Sequence, residues 1–137
     1  MKSLTAGAAS PPGIKDGMDL DEAVRFAGEW AADWNSHDLE RIIRHYAEDV
    51  VFSSPVAARI IEGSDGVVRG VEALRAYWAE GLRRDPGLRF EVVGVYAGID
   101  TVVINFRQRT GQLSAEVLTF RDGVVVSGRG THGAQPG

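Results

Sequence analysis

The sequence predicts an α+β fold in which three N-terminal helices are laid over a curved antiparallel sheet. Three observations carry this. Apolar residues recur at three- and four-residue spacing in three stretches before Asp85, strand-like runs take over from Leu88 onward, and those runs are separated by short turns built on Gly and Asp. At 137 residues and 44% hydrophobic, the chain suits one core and is too short for two ordinary ones.

Residues 1–19 read as a flexible tail of Ala, Gly, Ser and Pro, without an apolar run long enough for a signal peptide or a membrane span, ahead of a single domain over residues 20–133. From Asp21, the apolar positions Val24, Ala27, Ala31 and Trp34 mark an amphipathic helix that carries Trp30 and should stop near Asn35. Asp38 then offers an N-cap to a second, short helix with Leu39, Ile42, Ile43 and Tyr46, and Glu40 suits the positive end of its dipole. A strand, Val50 to Ser53, breaks at Pro55. The next segment, Val56 to Gly70, alternates poorly and holds Gly63, Gly66 and Gly70, so it reads as a lid loop with at most a short hairpin. A third helix from Val71 puts Leu74, Tyr77, Trp78 and Leu82 on one face, and Asp85-Pro86-Gly87 ends it. Four strands follow: Leu88 to Tyr96, Thr101 to Arg109, Gln112 to Arg121 and Val124 to Thr131.

Thr110-Gly111 and Asp122-Gly123 are two-residue turn candidates, and a turn of that length decides which residues face one another. If both are such turns, Arg109 opposes Gln112 and Arg121 opposes Val124. Asn105, Glu116 and Arg129 then form one polar row across three strands, with Leu118 and Phe120 on the same face. The other face carries Val102, Ile104, Phe106, Ala115 and Val117, with Gly128 and Gly130, where a second sheet could approach closely. A bulge at either glycine would instead bring Gly128 or Gly130 opposite Glu116 and turn His132 inward.

The order long helix, short helix, strand, with the phrases Trp34-Asn-Ser-His-Asp-Leu-Glu and Tyr46-Ala-Glu-Asp-Val-Val-Phe-Ser-Ser-Pro, resembles the nuclear transport factor 2-like (NTF2-like) superfamily, in particular its SnoaL-like and ketosteroid-isomerase-like branch. The resemblance spans residues 20 to 132. It implies a cone with a pocket for a small apolar or aromatic organic ligand between the helices and the concave face, and a homodimer through the sheet. Family isomerases use a Tyr on the first helix, an Asp just before the Pro that ends the first strand, and a second acid on the penultimate strand. Those positions read Trp30, Ser54 and Glu116 here. Ser54 has no base beside it and Trp30 offers only an indole N–H, so steroid isomerisation by that route loses two of its three groups. The epoxide-hydrolase branch needs two carboxylates and an Arg, against Glu116 with Arg129 and Arg59. SnoaL-type cyclases resemble the chain more closely, since they rely chiefly on one acid at the Glu116 position.

Glu116 is therefore the candidate catalytic residue, and two readings of it stay open. Burial under Trp30, Trp34, Phe52 and Trp78 would raise its pKa toward the acid–base range, while pairing with Arg129 and Asn105 would lower it. Candidate binding residues are Asn105, Arg129, Trp30, Trp34, Ser54, Arg59, Trp78, Leu118 and Phe120. The function expected is a small-molecule-binding protein, as an isomerase, cyclase or hydrolase, or else a non-catalytic binding or dimerisation module whose cavity is filled by Trp30, Trp34, Leu118 and Phe120. His37 and His45 read as solvent-exposed. Three scattered histidines and no phosphate loop predict neither metal nor cofactor. A net charge of −4 without a basic cluster argues against nucleic acid, and the chain is expected to be cytoplasmic and free of membrane.

Overall fold

A computed structural model describes residues 18–136; most of the tail expected over residues 1–19 lies outside the described residues. The elements are α1 (Leu20–Ser36), α2 (Leu39–Ile43), β1 (Tyr46–Ser53), α3 (Pro55–Ile60), β2 (Val67–Arg69), α4 (Val71–Arg84), β3 (Phe90–Gly98), β4 (Thr101–Gln108), β5 (Leu113–Arg121) and β6 (Val124–His132). The strands form one curved sheet in the order β2-β1-β6-β5-β4-β3. Neighbours are antiparallel except β1 and β6, which run parallel. Helices pack on the sheet's concave face, the α+β cone that the sequence predicts.

α1 begins where Asp19 and Glu22 close a reciprocal capping box, and ends at His37 in a left-handed conformation. Its buried stripe is Ala23, Ala27, Trp30, Ala31 and Trp34. Val24 is off that stripe and 52% exposed. The helix end is tied to β3, since Asn35 Nδ2 donates to Phe90 O at 3.0 Å and Phe90 N donates to Asn35 Oδ1 at 2.8 Å. Tyr46 opens β1 instead of closing α2, because α2 stops at Ile43.

The segment expected as a lid loop is ordered structure. Ser54 accepts a hydrogen bond from Val56 N at 3.1 Å and so caps α3, with Pro55 at the first helical position, where a missing N–H costs nothing. Gly66, at φ +81°, lets the chain pass close under Ser54, and β2 then pairs with β1. The described residues thus hold four helices, the extra one being a six-residue helix whose cap and Pro fall inside an apparent loop.

Sheet register departs from expectation, and the turn chemistry explains it. Asp122 and Gly123 both have positive φ, 53° and 83°, and make the two-residue turn with Arg121 opposite Val124. Thr110-Gly111 does not: Gln108 N donates to Gln112 O and Gly111 N to Gln108 O, both at 2.8 Å, so the loop is the three-residue Arg109-Thr110-Gly111, with Gly111 at φ 93°. One extra loop residue puts Ile104, not Asn105, opposite Glu116. On the other side a bulge at Val126 puts Gly130, not Arg129, opposite Glu116. The conditional shift foreseen for β6 is therefore present, at a valine instead of a glycine.

The consequence is a re-sorting of the two faces. Val102, Ile104, Phe106, Ser114, Glu116, Leu118, Gly128 and Gly130 face the helices, whereas Asn105, Ala115, Val117 and Arg129 face away. The polar row does not exist, and the two glycines serve the interior, not an outer contact. Gly128 is required there, since a Cβ on it would stand 2.8 Å from Phe52 Cδ1 and 3.3 Å from Leu118 Cδ2.

Candidate active site

A cavity of about 260 Å³ lies between α4, α3 and the concave face of the sheet. Its apolar wall is made by Trp34, Phe52, Trp78, Phe90 and Phe106. These rings hold each other edge-on or tilted: Trp34 and Trp78 have centroids 5.0 Å apart, Phe52 and Trp78 5.4 Å, Phe90 and Phe106 4.5 Å. Its polar wall is made by Glu116, Ser54 and Tyr77, with Gln108, Ser114 and His132.

Glu116 is brought inside by the register just described. Gly130, opposite it, leaves the space over which the carboxylate leans: Glu116 Oε2 and Ser54 Oγ lie 3.4 Å and 3.5 Å from the point a side-chain carbon on residue 130 would take. Tyr77 O–H donates to Ser54 Oγ at 3.4 Å. With Arg129 on the other face, burial acts on the Glu116 carboxyl unopposed and pushes its pKa up to about 8. Of the two readings left open, the paired one fails on geometry. Tyr77 is also raised, by burial first and then by Glu116, and stays a protonated donor.

The structure brings Glu116, Trp34, Ser54 and Trp78 together in the cavity. Trp30 is 1% exposed and stacks on Phe90 behind the wall. Leu118 and Phe120 are buried core, Phe120 meeting Phe26 edge-on. Arg59 is exposed on α3, and Asn105 and Arg129 are outside, so none of these three lines the cavity. Tyr77, Phe90, Phe106, Gln108 and Ser114 are among the lining residues that sequence reasoning did not place, whereas Phe52, expected over Glu116, does line the cavity. Tyr77 carried only the signal of a core aromatic, and Phe106 and Ser114 needed the correct register.

His45 is a second departure. It is not free but contacts Asp33 Oδ2 through Nε2 at 2.7 Å, and Arg41 and Arg44 reach the same carboxylate at 3.2 Å and 3.1 Å. His37, also expected in solvent, contacts Leu88 O through Nε2 at 2.8 Å. Among the described residues no three His, Asp or Glu side chains converge as a metal's ligands must. No described helix is long and apolar enough to cross a membrane.

The chain belongs to the SnoaL-like domain family, whose model matches residues 27–132. No curated protein matches it. Among solved structures it is similar to a SnoaL-like protein of unknown function from Burkholderia thailandensis, at 38% identity and TM-score 0.80 over 85% of this chain and 98% of that one. It is also similar to AclR from Streptomyces galilaeus, a candidate hydroxylase, at 26% identity and TM-score 0.65 over 86% and 93% of the two chains. TerC, co-crystallised with polyporic acid, shares the fold at 18% identity and TM-score 0.67 over 81% and 91%.

Proposed function

We propose that this chain binds a small, largely apolar aromatic molecule in the cavity and acts on it by acid–base chemistry through Glu116. One observation carries the reading: a carboxyl group that no cation neutralises faces an aromatic cavity, and burial keeps it protonated up to about pH 8. Trp34 Nε1, buried and without a partner among the described residues, adds an unspent donor on the same wall. A volume of about 260 Å³, close to the roughly 300 Å³ at which small-molecule sites begin, supports a ligand site over a cavity filled by its own side chains. TerC supports a small-molecule role by fold analogy alone.

In the proposed mechanism the neutral Glu116 gives its proton to a ligand carbonyl oxygen, and the carboxylate so formed takes a proton from the carbon beside that carbonyl, which leaves the enol and restores the acid. Ser54 and Tyr77 orient that oxygen. Isomerisation or cyclisation needs nothing more at this end of the ligand. Hydrolysis would need an activated water, and the other lining carboxylate, Asp85, is engaged by Arg109 at 2.7 Å. The convex face is proposed to pair with a second copy of the chain.

The test has two readouts. Side-chain carboxyl NMR of ¹³C-glutamate-labelled protein, assigned by Glu116→Gln, should give a midpoint near 8 for Glu116; a midpoint at or below the ordinary 4.5 overturns the acid role. A panel of oxygenated aromatic compounds, followed by tryptophan fluorescence and by product analysis, should yield one that the native protein converts and E116Q binds but leaves unchanged. Binding with no conversion by either protein supports the non-catalytic module instead.

A further inference from the structure

Ser114 is 3% exposed and lines the cavity, yet no other part of the mechanism uses it. Its Oγ accepts from Gln108 Nε2 at 2.9 Å, a bond that uses the hydroxyl as an acceptor and leaves its own O–H to be given to a ligand. Gln108 is held in turn by the three-residue hairpin, where its backbone pairs with Gln112. A hydroxyl held by an amide N–H in this way is oriented and keeps one donor for a ligand in the cavity it lines. Ser114 stands two residues before Glu116 on β5, so the two side chains share a face about 7 Å apart along the strand. His132 faces Ser114 across the ladder and closes the same polar rung at the rim, as Gly130 faces Glu116 on the deeper one.

The charges near the cavity restrict the ligand further. Arg84 and Asp85, at the mouth, are occupied by Glu80 at 2.6 Å and Arg109 at 2.7 Å. Arg129, which would have received a carboxylate, is outside. Arg59 acts on Tyr77 only through its charge and is not a lining residue, so among the described lining residues no Arg or Lys is free to pair with a fully charged ligand end, whose burial would be costly.

We infer that the ligand is a flat, uncharged aromatic molecule with two oxygen functions, one read by Glu116 and Ser54 and the other, about 7 Å along the strand, by Ser114. The rings between them lie against Trp34, Trp78, Phe90 and Phe106. This rests on the cavity being the ligand site, and it adds the number and spacing of the polar groups that the site reads.

Two probes test it: a naphthalenediol with its hydroxyls at opposite ends of the two-ring frame, and the corresponding naphthol with one. Titrated by tryptophan fluorescence, the diol should bind the native protein about tenfold more tightly, the gain of one well-placed hydrogen bond. Ser114→Ala should reduce that advantage to under twofold while leaving the naphthol's affinity in place. Equal affinities in the native protein, a comparison that needs no variant, or an advantage that survives in S114A, overturns the second station and leaves the Glu116 reading intact. Failure of both probes to bind removes the cavity reading, and this inference with it.

Discussion

Gly130 decides more at the site than any other residue without a functional group. Its missing side chain is the room into which Glu116 Oε2 and Ser54 Oγ converge, and a Cβ there would meet both at ordinary contact distance, 3.4 to 3.5 Å. Gly130 is not at a positive φ, so alanine fits the backbone. Gly130→Ala is therefore expected to change stability by less than about 1 kcal/mol while filling the space proposed for the ligand's oxygen. Urea unfolding should show the first and ligand titration a loss of affinity of about tenfold or more. Unchanged binding by a folded G130A would move the reactive end of the ligand elsewhere. The glycine itself is plain in the sequence. Its role is not, because that role depends on the strand opposite.

At the scale of elements, the joint between α1, α2 and β1 is held by a buried acid. Asp33 is 1% exposed on α1, beside Trp34, and gathers Arg41 and Arg44 from the α2 region and His45 from the turn that leads into β1. Burial alone would raise its pKa, but hydrogen bonds from His45 and Arg44 and their charges outweigh it and hold the carboxyl below 3.8. A depressed folded pKa means stability that is present above the ordinary value and lost as pH falls through the lower, folded one. Asp33→Asn should cost about 1.5–3 kcal/mol at neutral pH, the range for charge-assisted hydrogen bonds. Urea midpoints compared with the native protein should converge as the solution is taken below pH 3.8. A gap that stays constant into acid would deny the ion pairs their part. The sequence reading did not single out Asp33, because its partners come from two other elements and only packing brings them in.

For the whole molecule, the sheet has one face under helices and one without them. Across the open face, Tyr96, Val103, Val117 and Arg129 stand in a row over four strands. Tyr96 is 60% exposed and Val93, at the β3 bulge, 45%. An apolar strip rimmed by Arg129 suits a self-complementary contact better than open water. The native protein is expected to sediment as a dimer and Tyr96→Glu as a monomer with unchanged ligand affinity. A native monomer at micromolar concentration would sink the pairing. The face was legible from period-two alternation, although the residues assigned to it changed when the register moved by one.

Local information determined the class of fold, the three main helices, the four long strands and the Asp122-Gly123 turn. Each of these is written in spacing, capping or turn chemistry over a few neighbouring residues. Only the tertiary structure decided what surrounds Glu116. A three-residue loop in place of a two-residue one, and a bulge at Val126, are small local choices, yet the strict alternation of a strand turns each into an exchange of faces. That exchange removed Arg129 and Asn105 from the acid, put Ser114 and Gly130 beside it, and left its carboxyl to be governed by burial.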